Sequence, residues 1–373
     1  MKKKIALSMS AALLSTSAYA VDVSVSGFGT IAAGKSSRKD TNVAGYKNTK
    51  KNAESNGDKI KFQPDSVFGV QFNSKIDSKM TAAVQIISRF NDVDDQVVNL
   101  EWAYINYSLS DHLTVQAGRF RPAIYLYSNT QDIGYSYVWT RPPLEIYSMI
   151  PINYIDGVNV DYQYEITDEI TLGANIYYGN LTTDIFTKAG FTLDFQFDNR
   201  YGIDVSLGSD DFKIRAGYLR SNQSVVDSTN GNPKFLISNA INTFISAGVF
   251  VDYNNYLFVA EFANRDIGAD QTGKQSPFAD NVDGWYATAG YRFGDYTPTI
   301  TYAAQEATSD KTGNNYIPTF ERDLTSTSVG LRYEINDHSA LKGEWLRQDE
   351  KAKTSADGYG VTNLYTVAWN IIF

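Results

Sequence analysis

Residues 203–218 read IDVSLGSDDFKIRAGY. Ile203, Val205 and Leu207 alternate with Asp204 and Ser206. After Gly208-Ser209-Asp210-Asp211 the alternation resumes as Phe212, Ile214, Ala216 and Tyr218, with Lys213 and Arg215 between them. A period of two places apolar side chains on one face of a strand and polar ones on the other. The four residues in the middle are of the kinds that reverse a chain tightly. The stretch is therefore a β-hairpin with one apolar face and one charged face.

The same unit recurs along the chain. Val158 to Tyr164 turns at Thr167-Asp168-Glu169 into Leu172 to Tyr178, and Ile245 to Val251 turns at Tyr253-Asn254-Asn255 into Tyr256 to Phe262. Further short turns fall near residues 78, 111, 295 and 337. Longer polar segments separate the hairpins. Counting the first strand from Val21 and the last strand through Phe373, the pattern predicts about sixteen antiparallel strands in an all-β chain. The alternation fails at Leu100 to Leu109, where Leu100, Trp102 and Tyr104 oppose Ala103, Ile105 and Tyr107. A β-bulge or a subunit contact would each explain two apolar faces.

Composition narrows the setting. The first twenty residues have a basic start (Lys2, Lys3, Lys4), an apolar run from Ile5 to Leu14 and Ala18-Tyr19-Ala20 at the end. This reads as a cleaved signal peptide, with residues 21–373 as one β-barrel. The net charge is −9 and becomes more negative once the leading lysines are removed. Nucleic acid is therefore a poor partner. There is no cysteine, and no later apolar run is long enough for a membrane helix. Yet 26 tyrosines stand in a hydrophilic chain, with a mean hydropathy of −0.32. Aromatic rings with a polar tip favour the lipid–water boundary. An exported, polar, aromatic-rich chain of two-faced strands is a transmembrane β-barrel.

The charged face then needs water. Asp161, Lys213, Arg215, Glu261, Arg292, Arg332, Glu334, Lys342 and Glu344 are expected on the pore wall, with Arg89, Asp204 and Arg265 at the same parity. Lys or Arg facing lipid at mid-membrane would cost about 2–4 kcal/mol each. Catalysis finds little support. The two histidines, His112 and His338, sit in separate short turns, and a nucleophile–His pair or metal cluster lacks its parts. Asp92, Asp94 and Asp95 read as a solvated patch between strands. No catalytic residue, metal ligand or cofactor is expected.

One segment refuses to alternate. Gly118 to Ile152 contains seven aromatics, Pro122, Pro142 and Pro143, and three arginines. Its aromatic content argues against disorder, and its length argues for function. It reads as a loop packed inside the barrel. Arg119, Arg121 and Arg141 stand there with Asp132 and Glu145. Opposed charges in a narrow aqueous space would orient polar solutes, and pairing within the loop is the competing reading.

Strand alternation continues to the last residue through Tyr365, Val367, Trp369, Ile371 and Phe373. This ending, the VSGFGT start, the strand count and the long segment after the fifth strand resemble the Gram-negative general porins over nearly the whole mature chain. The resemblance implies an outer-membrane channel for passive diffusion of ions and small hydrophilic solutes, with a third loop folded inward as constriction. It also implies a homotrimer in outer-membrane lipid, with Phe373 as the assembly signal for the barrel assembly machinery. The chain lacks the family's PEFGG-type stretch on that loop, so constriction residues do not carry over one to one. The basic segment Lys35 to Lys61 and the loop arginines motivate an alternative, an anion- or phosphate-selective channel. A surface receptor or adhesion barrel is the alternative of another class.

Overall fold

The computed structural model describes residues 22–38, 42–47, 60–90, 96–150, 154–186, 192–229, 233–273, 281–308, 322–352 and 360–373. The proposed signal peptide and the Asp92, Asp94, Asp95 patch lie outside these residues, as does much of the basic segment after Lys35.

The strands are β1 (Asp22–Ser36), β2 (Asn42–Val43), β3 (Tyr46–Lys47), β4 (Val67–Lys75), β5 (Met80–Phe90), β6 (Gln96–Ser108), β7 (Leu113–Phe120), β8 (Ile155–Glu165) and β9 (Thr171–Phe186). They continue with β10 (Thr192–Gly208), β11 (Phe212–Asp227), β12 (Lys234–Tyr253), β13 (Tyr256–Ile267), β14 (Asn281–Tyr291), β15 (Tyr296–Thr308), β16 (Arg322–Asn336), β17 (Ser339–Ala352) and β18 (Gly360–Ile372). The β2–β3 pair is a small hairpin of its own. The other sixteen form a closed antiparallel barrel in sequence order, with β1 joining β18 and β4. This is the architecture that alternation and turn spacing predict.

Side-chain chemistry sets the short turns. The Asp77 carboxylate accepts hydrogen bonds from the Lys79 and Met80 amides at 2.7 and 2.8 Å, which reverses the chain into β5. Asn254 and Asn255 both have positive φ, 49° and 71°. That is the backbone a tight two-residue hairpin requires, and asparagine tolerates it. Apolar side chains at the outward parity, such as Ile203, Val205, Ile245, Phe258 and Trp369, are exposed on the isolated barrel. In lipid this face is satisfied. The sixteen barrel strands leave no edge to be satisfied, because their ring is closed.

The two-faced stretch in β6 is a bulge. Gln85 pairs with Trp102 and Ile86 with Leu100, so Glu101 is the extra residue. Parity flips there. Leu100 points outward on one side of the bulge, and Ile105 and Tyr107 on the other. Trp102 and Tyr104 turn inward, and Glu101 is buried. No subunit contact is needed to account for the pattern. Strand β10 runs from Thr192, so the alternation through Phe197 is part of a strand, and a bulge between Asp198 and Tyr201 kinks it.

Closure joins the two ends. The Gly27 amide donates to the Phe373 carbonyl at 2.7 Å, and the Phe373 amide returns a bond to the Gly27 carbonyl at 3.0 Å. A Cβ on Gly27 would strike the Phe373 ring. Deleting Phe373 should therefore remove the terminal pair of bonds from the β1–β18 ladder and cut the fraction of protein that runs as a heat-modifiable barrel on unboiled SDS gels. Gly27→Val should act in the same direction by displacing the ring. Normal yields of folded barrel from both variants would show that closure does not depend on this contact.

Candidate functional site

Strand β7 ends as the loop begins. Gly118 has φ of +130° and packs against the backbone of β6 so closely that a Cβ would overlap the Ala103 carbonyl. Only glycine accepts both conditions. The next residues, Arg121 to Ile150, lie against the inward face of the barrel. They include a 3-10 turn (Gly134–Ser136) and a short helix α1 (Leu144–Tyr147).

The loop's aromatics form a dry core with one half of the wall. Tyr125, Tyr137, Trp139, Ile146 and Met149 are buried with Phe244, Val259, Ala263, Tyr286 and Ala303. The Trp139 indole N–H donates to the Thr288 and Thr301 hydroxyls at 3.0 and 2.9 Å. Its ring meets Tyr286 edge to face at 5.4 Å. A buried indole needs such a partner, and two threonines in register across β14 and β15 supply it.

Charged wall residues grip the loop's backbone. Lys342 is 1% exposed and donates to the carbonyls of Gly134, Tyr137 and Trp139. Arg332 donates to the Tyr135 and Tyr137 carbonyls at 2.6 and 2.8 Å and to Glu334 at 2.5 Å. Glu261 accepts from the Leu126 amide and from the Tyr147 and Tyr286 hydroxyls. Glu344 accepts from the Thr140 amide and hydroxyl. Arg215 pairs with Asp204 and also donates to the Ala123 carbonyl.

This corrects the expected wall of water-exposed charge. Arg215, Glu261, Arg332, Lys342 and Glu344 do lie at the inward parity, but the loop packs against them, while Glu334 at the same parity keeps 36% of its side chain exposed. Of the remaining wall residues, Asp161 and Lys213 line open space. Arg292 forks onto Asp252 beside the short turn after β14. Among the other residues of that parity, Arg265 donates to the Met149 carbonyl at 3.0 Å.

The loop charges are paired. Arg121 bonds Glu101 at 2.5 Å and Asp132 at 2.6 Å, and Arg89 reaches both carboxylates at 3.1 and 3.3 Å. Burial works against the Asp132 charge, but Arg121 and Arg89 outweigh it and hold the carboxyl below the usual range. The stability this group contributes is present at neutral pH and is lost only as pH falls through that depressed value. Arg141 forks onto Asp65, and the Asp65 carboxylate also accepts from the Tyr46 hydroxyl. Arg119 is not in the lumen. It sits at the outward parity with Asp156, its cross-strand neighbour, at 2.7 Å and stacks 4.4 Å from the Tyr154 ring.

Glu145 is likewise set aside from the opening. It is 3% exposed, and its backbone carbonyl accepts from Gln305 at 2.8 Å. Burial raises its carboxyl above the usual range, while Ser326 and Arg322 pull it back in part. An acid with a raised folded value costs stability once pH exceeds its ordinary value. Glu145→Gln should therefore raise the temperature of SDS heat conversion at pH 8, by about 2 °C, and leave it unchanged at pH 4. A fall at pH 8 would mean the ionised carboxylate is needed.

Packing on one half of the wall leaves a gap on the other. A cavity of about 830 Å³ lies between the loop and strands β4 and β6 to β11. Arg121, Tyr125, Leu126 and Ser128 border it from the loop side; Gln71, Trp102, Gln116, Asn159 and Ser206 border it from the barrel. Sequence reasoning missed Asp65, Glu101 and Asp156, the partners of the three loop-region arginines. The bulge hides Glu101 from a parity reading. The amides of the open wall were readable by parity, but charge drew attention away from them.

No protein-family model matches this chain, and no curated protein matches it in sequence. Solved structures do. The anion-selective porin from Comamonas acidovorans superposes with a TM-score of 0.61 at 11% identity, covering 95% of this chain and 100% of that one. The outer-membrane channel DcaP of Acinetobacter baumannii gives 0.59 at 13%, covering 95% and 97%. A trimer form of OmpT, an outer-membrane protein of Vibrio cholerae, gives 0.53 at 15%, covering 94% and 99%. The fold is that of the outer-membrane porins and channels.

Proposed function

We propose that this chain is an outer-membrane porin, exported by its signal peptide, through which ions and small hydrophilic solutes diffuse passively. The observation that carries the reading is the polar gap between the inward loop and the β4–β11 wall of a closed sixteen-stranded ring. Such a ring is wide enough to hold water, and here a packed loop reduces the opening to one side. Arg121, Tyr125, Leu126, Ser128, Thr130 and Ile133 stand on the loop edge of the constriction in this reading. An assembly of three copies is proposed with it, in keeping with the trimer form of one structural neighbour.

The anion-selective alternative has weaker support. It drew on the basic segment Lys35 to Lys61, much of which lies outside the described residues, and on the loop arginines, of which Arg121 and Arg141 are each paired with carboxylates. The deciding experiment is swelling of liposomes that contain the purified protein, combined with single-channel recording. Steady conductance and a molecular-size cut-off are expected. A barrel that passes neither ions nor sugars would leave the receptor or adhesion reading in its place.

A further inference from the structure

From the open wall we infer that this channel favours uncharged, hydroxyl-bearing solutes of sugar size over ions and charged solutes of the same dimensions. The inference rests on the porin reading and names its solute class.

The wall opposite the loop is built from neutral polar side chains in cross-strand rows. Thr81 pairs with Asn106, Asn106 with Gln116, and Gln116 with Asn159, so four strands, β5 to β8, present hydroxyl or amide groups side by side. The Asn106 amide donates to the Thr81 hydroxyl at 3.4 Å, and Asn159 donates to Asn175 at 3.4 Å. Next to this row the inward rings of Trp102 and Tyr104 stand 6.4 Å apart between centroids. Tilted by 39° to each other, they offer two aromatic faces beside a strip of donors and acceptors.

Charge in the gap is nearly cancelled. Five lining residues carry a charge at neutral pH: Arg121, Asp161, Asp204, Lys213 and Arg215. Arg121 belongs to the four-membered network of two arginines and two carboxylates, and Asp204 is bonded to Arg215. That leaves Asp161 and Lys213, of opposite sign. Asp161 is capped by the Gln163 amide at 3.2 Å.

Physics then separates the solutes. An ion entering a narrow, protein-walled space loses hydration, and a fixed countercharge is the strongest compensation a wall can supply. This wall offers none in excess. A hydroxyl group exchanges water for an amide that can donate and accept, at little net cost. The apolar side of a sugar ring can lie on Trp102 and Tyr104 while its hydroxyls face the row.

The test compares glucose, gluconate and glucosamine in liposome swelling at low salt, with a reversal-potential measurement in a potassium chloride gradient. Glucose is expected to enter several-fold faster than either charged analogue, and the potassium-to-chloride permeability ratio should lie within about twofold of unity. The isosteric pair Gln116→Glu and Asn159→Asp should reverse the order, with glucosamine entering fastest. Equal rates for all three solutes, or gluconate fastest in the wild type, would overturn the inference while leaving a working porin. An absence of flux for every solute would overturn the porin reading and this inference with it.

Discussion

Lys342→Met should turn a steadily open channel into one interrupted by brief closures. Methionine matches lysine in length but donates no hydrogen bond. Arg332 still reaches the Tyr137 carbonyl, so two carbonyls, those of Gly134 and Trp139, lose the ammonium that serves them. Each buried carbonyl left bare costs about 1–3 kcal/mol. Removing the buried ammonium also removes its desolvation cost, so the barrel as a whole should keep its stability. The effect falls on the seat of the loop. A loop that leaves its wall can move only toward the open side, because the other side is packed. Single-channel traces should therefore show transient drops in current, with the temperature of SDS heat conversion little changed. Lys342→Arg, which keeps donors on the wall, should flicker less. Traces like the wild type from Lys342→Met would mean that the aromatic core alone holds the loop.

Arg121→Met should make the channel cation-selective. Wild-type Arg121, Arg89, Glu101 and Asp132 form a balanced group at the cavity edge. Without Arg121 the group carries one excess negative charge, and Arg89, itself partly exposed, must serve both carboxylates. Breaking one side of a buried ion pair costs about 3–5 kcal/mol, so the loop's first turn should also loosen. The potassium-to-chloride ratio should rise several-fold at low salt and relax toward the wild-type value as salt screens the charge. Acid should erase it as well. Asp132 loses its main stabilising cation, so its carboxyl moves back up and becomes neutral on mild acidification, where the wild-type group stays ionised. Arg121→Lys keeps the charge and should stay near the wild-type ratio. A reversal potential unchanged in Arg121→Met, at both pH values, would remove this network from the selective site.

Much of the fold could be read along the chain, because a strand exposed to lipid on one side and protein or water on the other must alternate. Ile203, Val205 and Leu207 could face lipid and Asp204 could not. The turns followed for the same reason: Asp77 and Asn254-Asn255 carry their geometry in their own side chains. The loop stood out because its aromatics and prolines violate that alternation. Its partners could not be read. Parity places Glu261 and Lys342 inside but cannot say whether water or Tyr147 meets them there. Arg119 was misplaced because proximity to the loop in sequence outweighed its parity with Ala117. Glu101 was missed because one extra residue in β6 shifts the count. Packing between segments far apart in sequence decides these cases, and a periodic pattern carries no record of it.

The one-sided seating of the loop also makes the cylinder mechanically unequal. At the height of the loop, the wall from β12 through β18 is backed by packed side chains and loop backbone. From β6 through β11 the wall borders the gap as a single sheet. Bending under lateral membrane pressure should concentrate in that thin arc, and deuterium should enter its backbone first. The aperture is bounded by the compliant arc and the rigid plug, so its width should follow bilayer tension and thickness. Two lipid mixtures of different chain length would then give two conductances from one sequence.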